Sequence, residues 1–262
     1  MTRLTAVVIS FIVISLMFAG LSNARIDEES IMGMWLFNDG KGDTAKDSSP
    51  KGNDGKLMNG PEWVKGKSGQ ALSFDGKANY VEVSDSSSLD VSTEVSISLW
   101  AYINNFGTSS GDDVIIDKMC SDPIGAFEIL LFSANELEGR FTLATGTTIR
   151  LGQGLGLTPP DKSWHHYAST FKSGEQKLYF DGKAVASDSQ TGTLIQNDLP
   201  IDIGKGVERD YHFDGIIDEV GIFNVALTEK DIKDIMNKGL EGMTAVSQSG
   251  KLTTTWGDLK QQ

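Results

Sequence analysis

The chain has 262 residues, 36 acidic against 23 basic side chains, a formal charge of −13 at pH 7 and a single cysteine. That balance excludes nucleic acid and anionic membrane surfaces as partners, since binding phosphate needs a concentrated basic surface; it suits calcium and neutral ligands. One cysteine, Cys120, excludes an intramolecular disulfide, so the fold must rest on its core, and Cys120 itself, without an evident His partner, reads as a small packed side chain.

Residues 1–24 read as a secretory signal: Arg3 gives a positive start, residues 4–21 are nearly all apolar, and Ser22-Asn23-Ala24 ends in small residues suited to cleavage. The same run approaches the lower length of a membrane-spanning helix. Cleavage after Ala24 would leave a secreted or cell-envelope protein with no membrane insertion. Residues 25–241 then form the expected domain, and 242–262 a polar tail in which Trp256 is an anchor onto the domain or a docking residue.

Within the domain, short apolar or alternating runs separated by Gly, Asn, Asp and Ser clusters predict an all-β antiparallel sandwich. The expected strands are 34–37, 71–74, 80–83, 95–103, 114–117, 127–132, 140–144, 164–171, 177–180, 183–186, 201–203 and 215–223. In the fourth, Val95, Ile97, Leu99, Ala101 and Ile103 make one apolar stripe, opposed by Ser96, Ser98, Trp100 and Tyr102. Asp181-Gly182 supplies a two-residue hairpin turn. In the last strand a strict period of two puts Ile216, Asp218, Val220 and Ile222 on one face and Ile217, Glu219, Gly221 and Phe223 on the other. Neither acid then has a purely polar face, so this strand is a candidate metal or polar-network site. One helix is expected after it: Thr228 and Asp231 make a capping box, Ile232, Ile235 and Met236 share a face, and Gly239 is a stop.

Catalysis is not expected. Glu136 and Glu138 fall where a turn is predicted, Asp218 and Glu219 diverge, adjacent His165 and His166 read as packing, and no G-x-S-x-G elbow occurs.

Four passages resemble the LamG-like jellyroll family of the concanavalin A-like lectin/glucanase superfamily. Trp35-Leu36-Phe37-Asn38-Asp39-Gly40 leads to Asp47-Ser48-Ser49-Pro50-Lys51-Gly52-Asn53-Asp54-Gly55, similar to an opening strand and a "DxSGxGxxG" loop; residues 71–83 are similar to "FDGxxDYVEV"; Trp164-His165-His166-Tyr167-Ala168 with residues 178–183 is similar to "WHHVA…LYLDGK"; and residues 214–227 are similar to "DGxIDEVRIYNRAL". The resemblance, over roughly residues 31–240, implies a two-sheet antiparallel jelly roll acting as a carbohydrate-binding or adhesive module, often with a structural calcium. The ligands it implies are Asp75, Asn79 and Asp218, Asn79 standing where the pattern has an acid; alternatively Asp75 caps its own turn and Asp218 accepts backbone N–H bonds without an ion. Candidate ligand-binding residues are Trp100, Tyr102, Asn104, Asp112 and Asp113, with Asn105 beside them. The expected partner is a glycan, or an extracellular protein if the domain is adhesive or structural.

Overall fold

The computed structural model describes residues 26–107, 111–119, 125–133 and 135–244; the expected signal segment, Cys120 and Trp256 lie outside them. Two antiparallel sheets stack face to face. The first runs β14 (Lys183–Asp188), β13 (Glu175–Phe180), β12 (Trp164–Lys172), β7 (Glu94–Ile103), β16 (Asp214–Phe223), β5 (Gln70–Asp75) and β4 (Glu62–Lys65), and β1 (Ile31–Trp35) pairs with the C-terminal half of β16. The second runs β11 (Thr148–Leu151), β10 (Glu136–Thr142), β9 (Phe127–Phe132), β8 (Asp113–Asp117), β15 (Ile201–Ile203), β6 (Tyr80–Val83), β3 (Gly55–Met58) and β2 (Thr44–Ala45). The expected sandwich is therefore observed. The stretch 136–139, expected as a turn, is the first half of β10, because Leu137 needs the core and alternation carries the two glutamates to the other face.

The core lies between the sheets. The predicted stripe of β7 faces Val81, Val83, Ile116, Ile129 and Phe141 of the second sheet. Trp35 is fully buried there and satisfies its indole N–H on the Asn53 carbonyl at 2.8 Å. The Asp47 loop closes on itself: its carboxylate accepts from the Met34, Ser49 and Asn53 amides.

The helix α1 (Glu229–Thr244) begins with the predicted box, Thr228 N–H donating to Asp231 and Asp231 N–H to Thr228 Oγ1. Gly239 breaks it at φ 76°, but the chain resumes helical form and runs past residue 241. Ile232, Ile235 and Leu240 pack on Ala168, Tyr179 and Phe223, so α1 covers part of the outer face of the first sheet. Among the described residues no helix is long and apolar enough to cross a membrane.

The strict alternation expected in β16 does not hold. Asp218 pairs with Trp100 but Gly221 with Ser98, so one extra residue is inserted, and Glu219 takes a left-handed φ of 47°. The bulge keeps Ile217, Val220 and Ile222 in the core and turns Asp218 and Glu219 to the same, outer face. They do not diverge. Asp218 accepts from the Ser68 and Glu219 amides at 2.9 and 2.8 Å, while Glu219 accepts from the Leu240 amide just past the Gly239 break.

Candidate functional site

The outer face of the second sheet carries no helix among the described residues. It holds one charged side chain per strand in continuous register: Arg150 of β11 pairs with Arg140, Arg140 with Glu128, Glu128 with Asp117, Asp117 with Asp202, Asp202 with Glu82, and Glu82 with Lys56 of β3. Seven strands at the usual spacing make a row roughly 29 Å long. Period-two alternation explains it, since each charge has core residues beside it: Phe127 and Ile129 flank Glu128, Ile201 and Ile203 flank Asp202, Val81 and Val83 flank Glu82.

Four anions occupy the middle of the row, and cations close over three of them, Glu128, Asp117 and Asp202. Arg140 grips both oxygens of Glu138 at 3.0 and 2.9 Å and reaches Glu128 at 3.1 Å. From the loop 204–213, Arg209 bonds Asp117 at 2.7 Å and also Glu128, the Val207 amide bonds Asp117 at 2.7 Å, and Lys205 bonds Asp202 at 3.3 Å. Asp117 and Glu128 are 0% exposed, Asp202 2% and Arg140 4%. Burial pushes the Asp117 and Glu128 carboxyls above their usual range, against the arginines, and raises Asp202 to about 6 against the pull of Lys205. Burial alone would lower Arg209, but Glu128 and Asp117 outweigh it and hold it charged. Asp117 Oδ1, Asp202 Oδ1 and the Arg209 Nε–H have no hydrogen-bond partner among the described residues.

Half-buried aromatic rings border the row. Lys205 Nζ stands 4.7 Å from the Tyr80 ring, the Arg209 guanidinium 5.4 Å from Tyr211 and that of Arg140 5.2 Å from Phe132. The groups of this face that reach solvent are the exposed Lys56 and the half-buried Glu82, Arg150, Lys205, Arg209, Tyr80 and Tyr211, donors, acceptors and rings of the kinds that hold hydroxylated ligands. Its convergent carboxylates do not make a glycosidase pair: Asp117 and Glu128 share one guanidinium nitrogen and are shut beneath it, whereas hydrolysis needs carboxyls open to either side of a sugar.

The ligand-binding residues expected from the sequence are dispersed. Trp100 is buried on the outer face of the first sheet, edge-on to His166 at 5.3 Å with Lys67 Nζ 4.0 Å above its ring, so it offers no open platform. Tyr102 is half-buried against Trp164 at 5.8 Å. Asn104 and Asn105 both donate to Asp214. Asp113 accepts from the Gly107 amide, and Asp112 accepts from the Ser133 amide and lies 3.9 Å from Arg140, beside the charged row.

The three metal-ligand positions are not brought to one point. Asp75 pairs with Asp214, four residues from Asp218 along β16, a separation of about 13 Å in extended chain. Asp75 Oδ1 accepts from the Lys77 and Ala78 amides, and Asn79 Oδ1 from the Asp75 amide, so the turn satisfies itself. These residues do not fit a shared calcium shell. Melting temperatures in millimolar calcium and in EDTA are expected to agree; a rise of roughly 2–4 °C with calcium, the effect of a site of about 10⁻⁴ M affinity, would contradict that.

His165 and His166 point to opposite sides of β12, as alternation requires. His166 Nε2 meets Ser98 Oγ at 2.9 Å, and burial drives its ring down to about 4. His165 instead bonds Asp181 and Ser163.

Similar proteins share this architecture. Domain 4 of AbnA, an extracellular arabinanase from Geobacillus stearothermophilus, in complex with arabinotriose, superposes with a TM-score of 0.62 at 20% identity over 79% of this chain and 98% of that one. The binding domain of Paraclostridial Mosquitocidal Protein 1 gives 0.64 at 17% identity over 80% of this chain, which spans 52% of that domain. The binding domain of Botulinum Neurotoxin DC in complex with SialylT gives 0.59 at 16% identity, covering 80% and 51%. No curated protein sequence matches the chain. The Laminin_G_3 family, described as the concanavalin A-like lectin/glucanases superfamily, matches residues 75–233, more than half of the chain, and the protein belongs to that family.

Proposed function

We propose that the chain is a secreted glycan-binding module, without glycosidase action, that receives its ligand on the outer face of the second sheet. The charged row carries this reading: buried, cross-linked charges hold a rigid surface, and the half-buried rings of Tyr80 and Tyr211 border it, each beside a cation. The sugar-bound forms of the arabinanase domain and the neurotoxin domain support it. The alternative, a protein-adhesion or envelope-structural domain, fits less well, because Leu155, at 58%, is the exposed large apolar side chain among the described residues.

An array of neutral and sialylated oligosaccharides, arabinotriose included, followed by calorimetry on the best binder, tests this. Tyr80→Ala and Tyr211→Ala are each expected to weaken binding about 2–10-fold, the value of one ring contact. Tyr102→Ala, on the other sheet, should leave it unchanged. An empty array, or a loss confined to Tyr102→Ala, would overturn the proposal.

A further inference from the structure

A side-chain relay lies at one end of the sandwich, away from the charged row. Ser163 Oγ is 2.8 Å from His165 Nε2, and His165 Nδ1 is 2.8 Å from Asp181 Oδ2. Local structure dictates the arrangement. Ser163 and His165 are two residues apart on extended chain, hence on one side of it. Asp181 holds the first place of the Asp-Gly hairpin turn at φ 46°, which returns its carboxylate to the start of β12, and Asp181 Oδ1 is fixed by the His166 amide at 3.0 Å. A carboxylate can only accept, so it draws the imidazole proton to Nδ1 and leaves the Nε2 lone pair facing the serine hydroxyl. The order carboxylate, Nδ1, Nε2, hydroxyl is that of an acyl-transfer triad, which is recognised by geometry and not by chain order. The Asp161 carbonyl, at 3.3 Å, is a more distant acceptor for the same hydroxyl.

Two further features suit chemistry at this point. The group is reachable: the His165 side chain is 15% exposed, that of Asp181 42%, and Ser163 is half-buried. Phe180, stacked on the His165 ring at 4.9 Å, also forms a wall of an apolar cavity of ≈ 200 Å³ with Leu137, Leu157, Pro159 and Val185. A cavity of about 150 Å³ accepts benzene, so this one has room for a short acyl or aryl group.

We propose that Ser163, His165 and Asp181 form an acyl-transfer site that hydrolyses esters of short acyl groups, independently of glycan binding. Ser163 Oγ adds to the ester carbonyl while His165 Nε2 takes its proton. The ester C–O bond then breaks and the alcohol leaves with that proton. Water, deprotonated in turn by His165, releases the acid and restores the serine. Asp181 is a positioning residue, holding the imidazole tautomer.

The test is hydrolysis of p-nitrophenyl butyrate by the full chain, with peptide mapping after treatment with a fluorophosphonate. Turnover about 10²–10⁴-fold above buffer is expected, the usual contribution of a positioned general base. Ser163→Ala should remove at least about nine-tenths of it with the circular dichroism spectrum unchanged, and the phosphonate should be found on Ser163. Asp181→Asn should distort the pH–rate profile and not merely scale it. Turnover equal in the wild type and Ser163→Ala, or no adduct on Ser163 in the folded protein, would overturn the proposal.

Discussion

Arg140→Met is expected to lower folding stability by about 3–5 kcal/mol, measured by urea unfolding at pH 8. Arg140 is the cation that Glu138 and Glu128 share, and both carboxylates are completely buried. Removing it leaves two buried charges with Arg150, at 3.3 Å from Glu138, and Arg209, at Glu128, as the remaining counter-charges. The surrounding network limits the loss but cannot replace a bidentate guanidinium. Apolar replacement of the whole cluster is a different matter: buried ion groups exchanged together for well-packed hydrophobes are often neutral or stabilising. A triple variant with Glu128→Leu and Glu138→Leu added should therefore recover much of the lost stability while losing any function of the row. A cost below about 1 kcal/mol for Arg140→Met would mean that these pairs behave as solvent-screened surface bridges.

Stability should also rise as pH is lowered from 8 to 5, and Asp218 should account for much of that rise. Burial lifts its carboxyl from 3.8 to about 7, with the neighbouring Glu219 adding to the shift and the Ser68 and Glu219 amides opposing it. A folded pKa above the unfolded one means that the folded protein binds the proton more tightly. The contribution is then fully present below about pH 4 and is lost as pH rises towards 7. Three units correspond to about 4 kcal/mol at most. Asp202, raised to about 6, acts in the same direction. Carboxyls held below their usual range, such as Asp75 by its turn amides and Glu94 by the Ala226 amide, act oppositely: their contribution is present above the ordinary values of 3.8 and 4.5 and is lost as pH falls below them. Asp218→Asn stays neutral at every pH, so it should flatten the curve between pH 5 and 8. A wild-type stability that climbs steadily to pH 8 would contradict this assignment.

Much of the fold was legible in local pattern. The β7 stripe, the Asp-Gly hairpin and the Thr228 capping box depend on neighbours a few residues apart, and each stands as expected. The bulge at Glu219 was not legible: a single residue in left-handed conformation inverts the faces of everything after it, and no Gly or Asn marks the spot. The charged row was missed for another reason. Its members lie between Lys56 and Arg209 in the chain and meet only through strand order, which periodicity does not give. A signal was present nonetheless, in a repeated apolar–charged–apolar triplet: Val81-Glu82-Val83, Phe127-Glu128-Ile129, Ile149-Arg150-Leu151 and Ile201-Asp202-Ile203. Each triplet is a strand with its charge turned away from the core. Trp100 and Tyr102 share the outer face of β7 as alternation predicts, but alternation does not show what lies over a face: Lys67 stands over the Trp100 ring and Trp164 packs against Tyr102.

Mapping amide chemical shifts while titrating the strongest array binder into isotope-labelled protein tests the ligand face most directly. The largest changes should fall on Glu82, Asp117, Glu128, Arg140, Asp202 and Arg209. Changes concentrated on Trp100, Tyr102 and α1, with the row silent, would contradict the assignment.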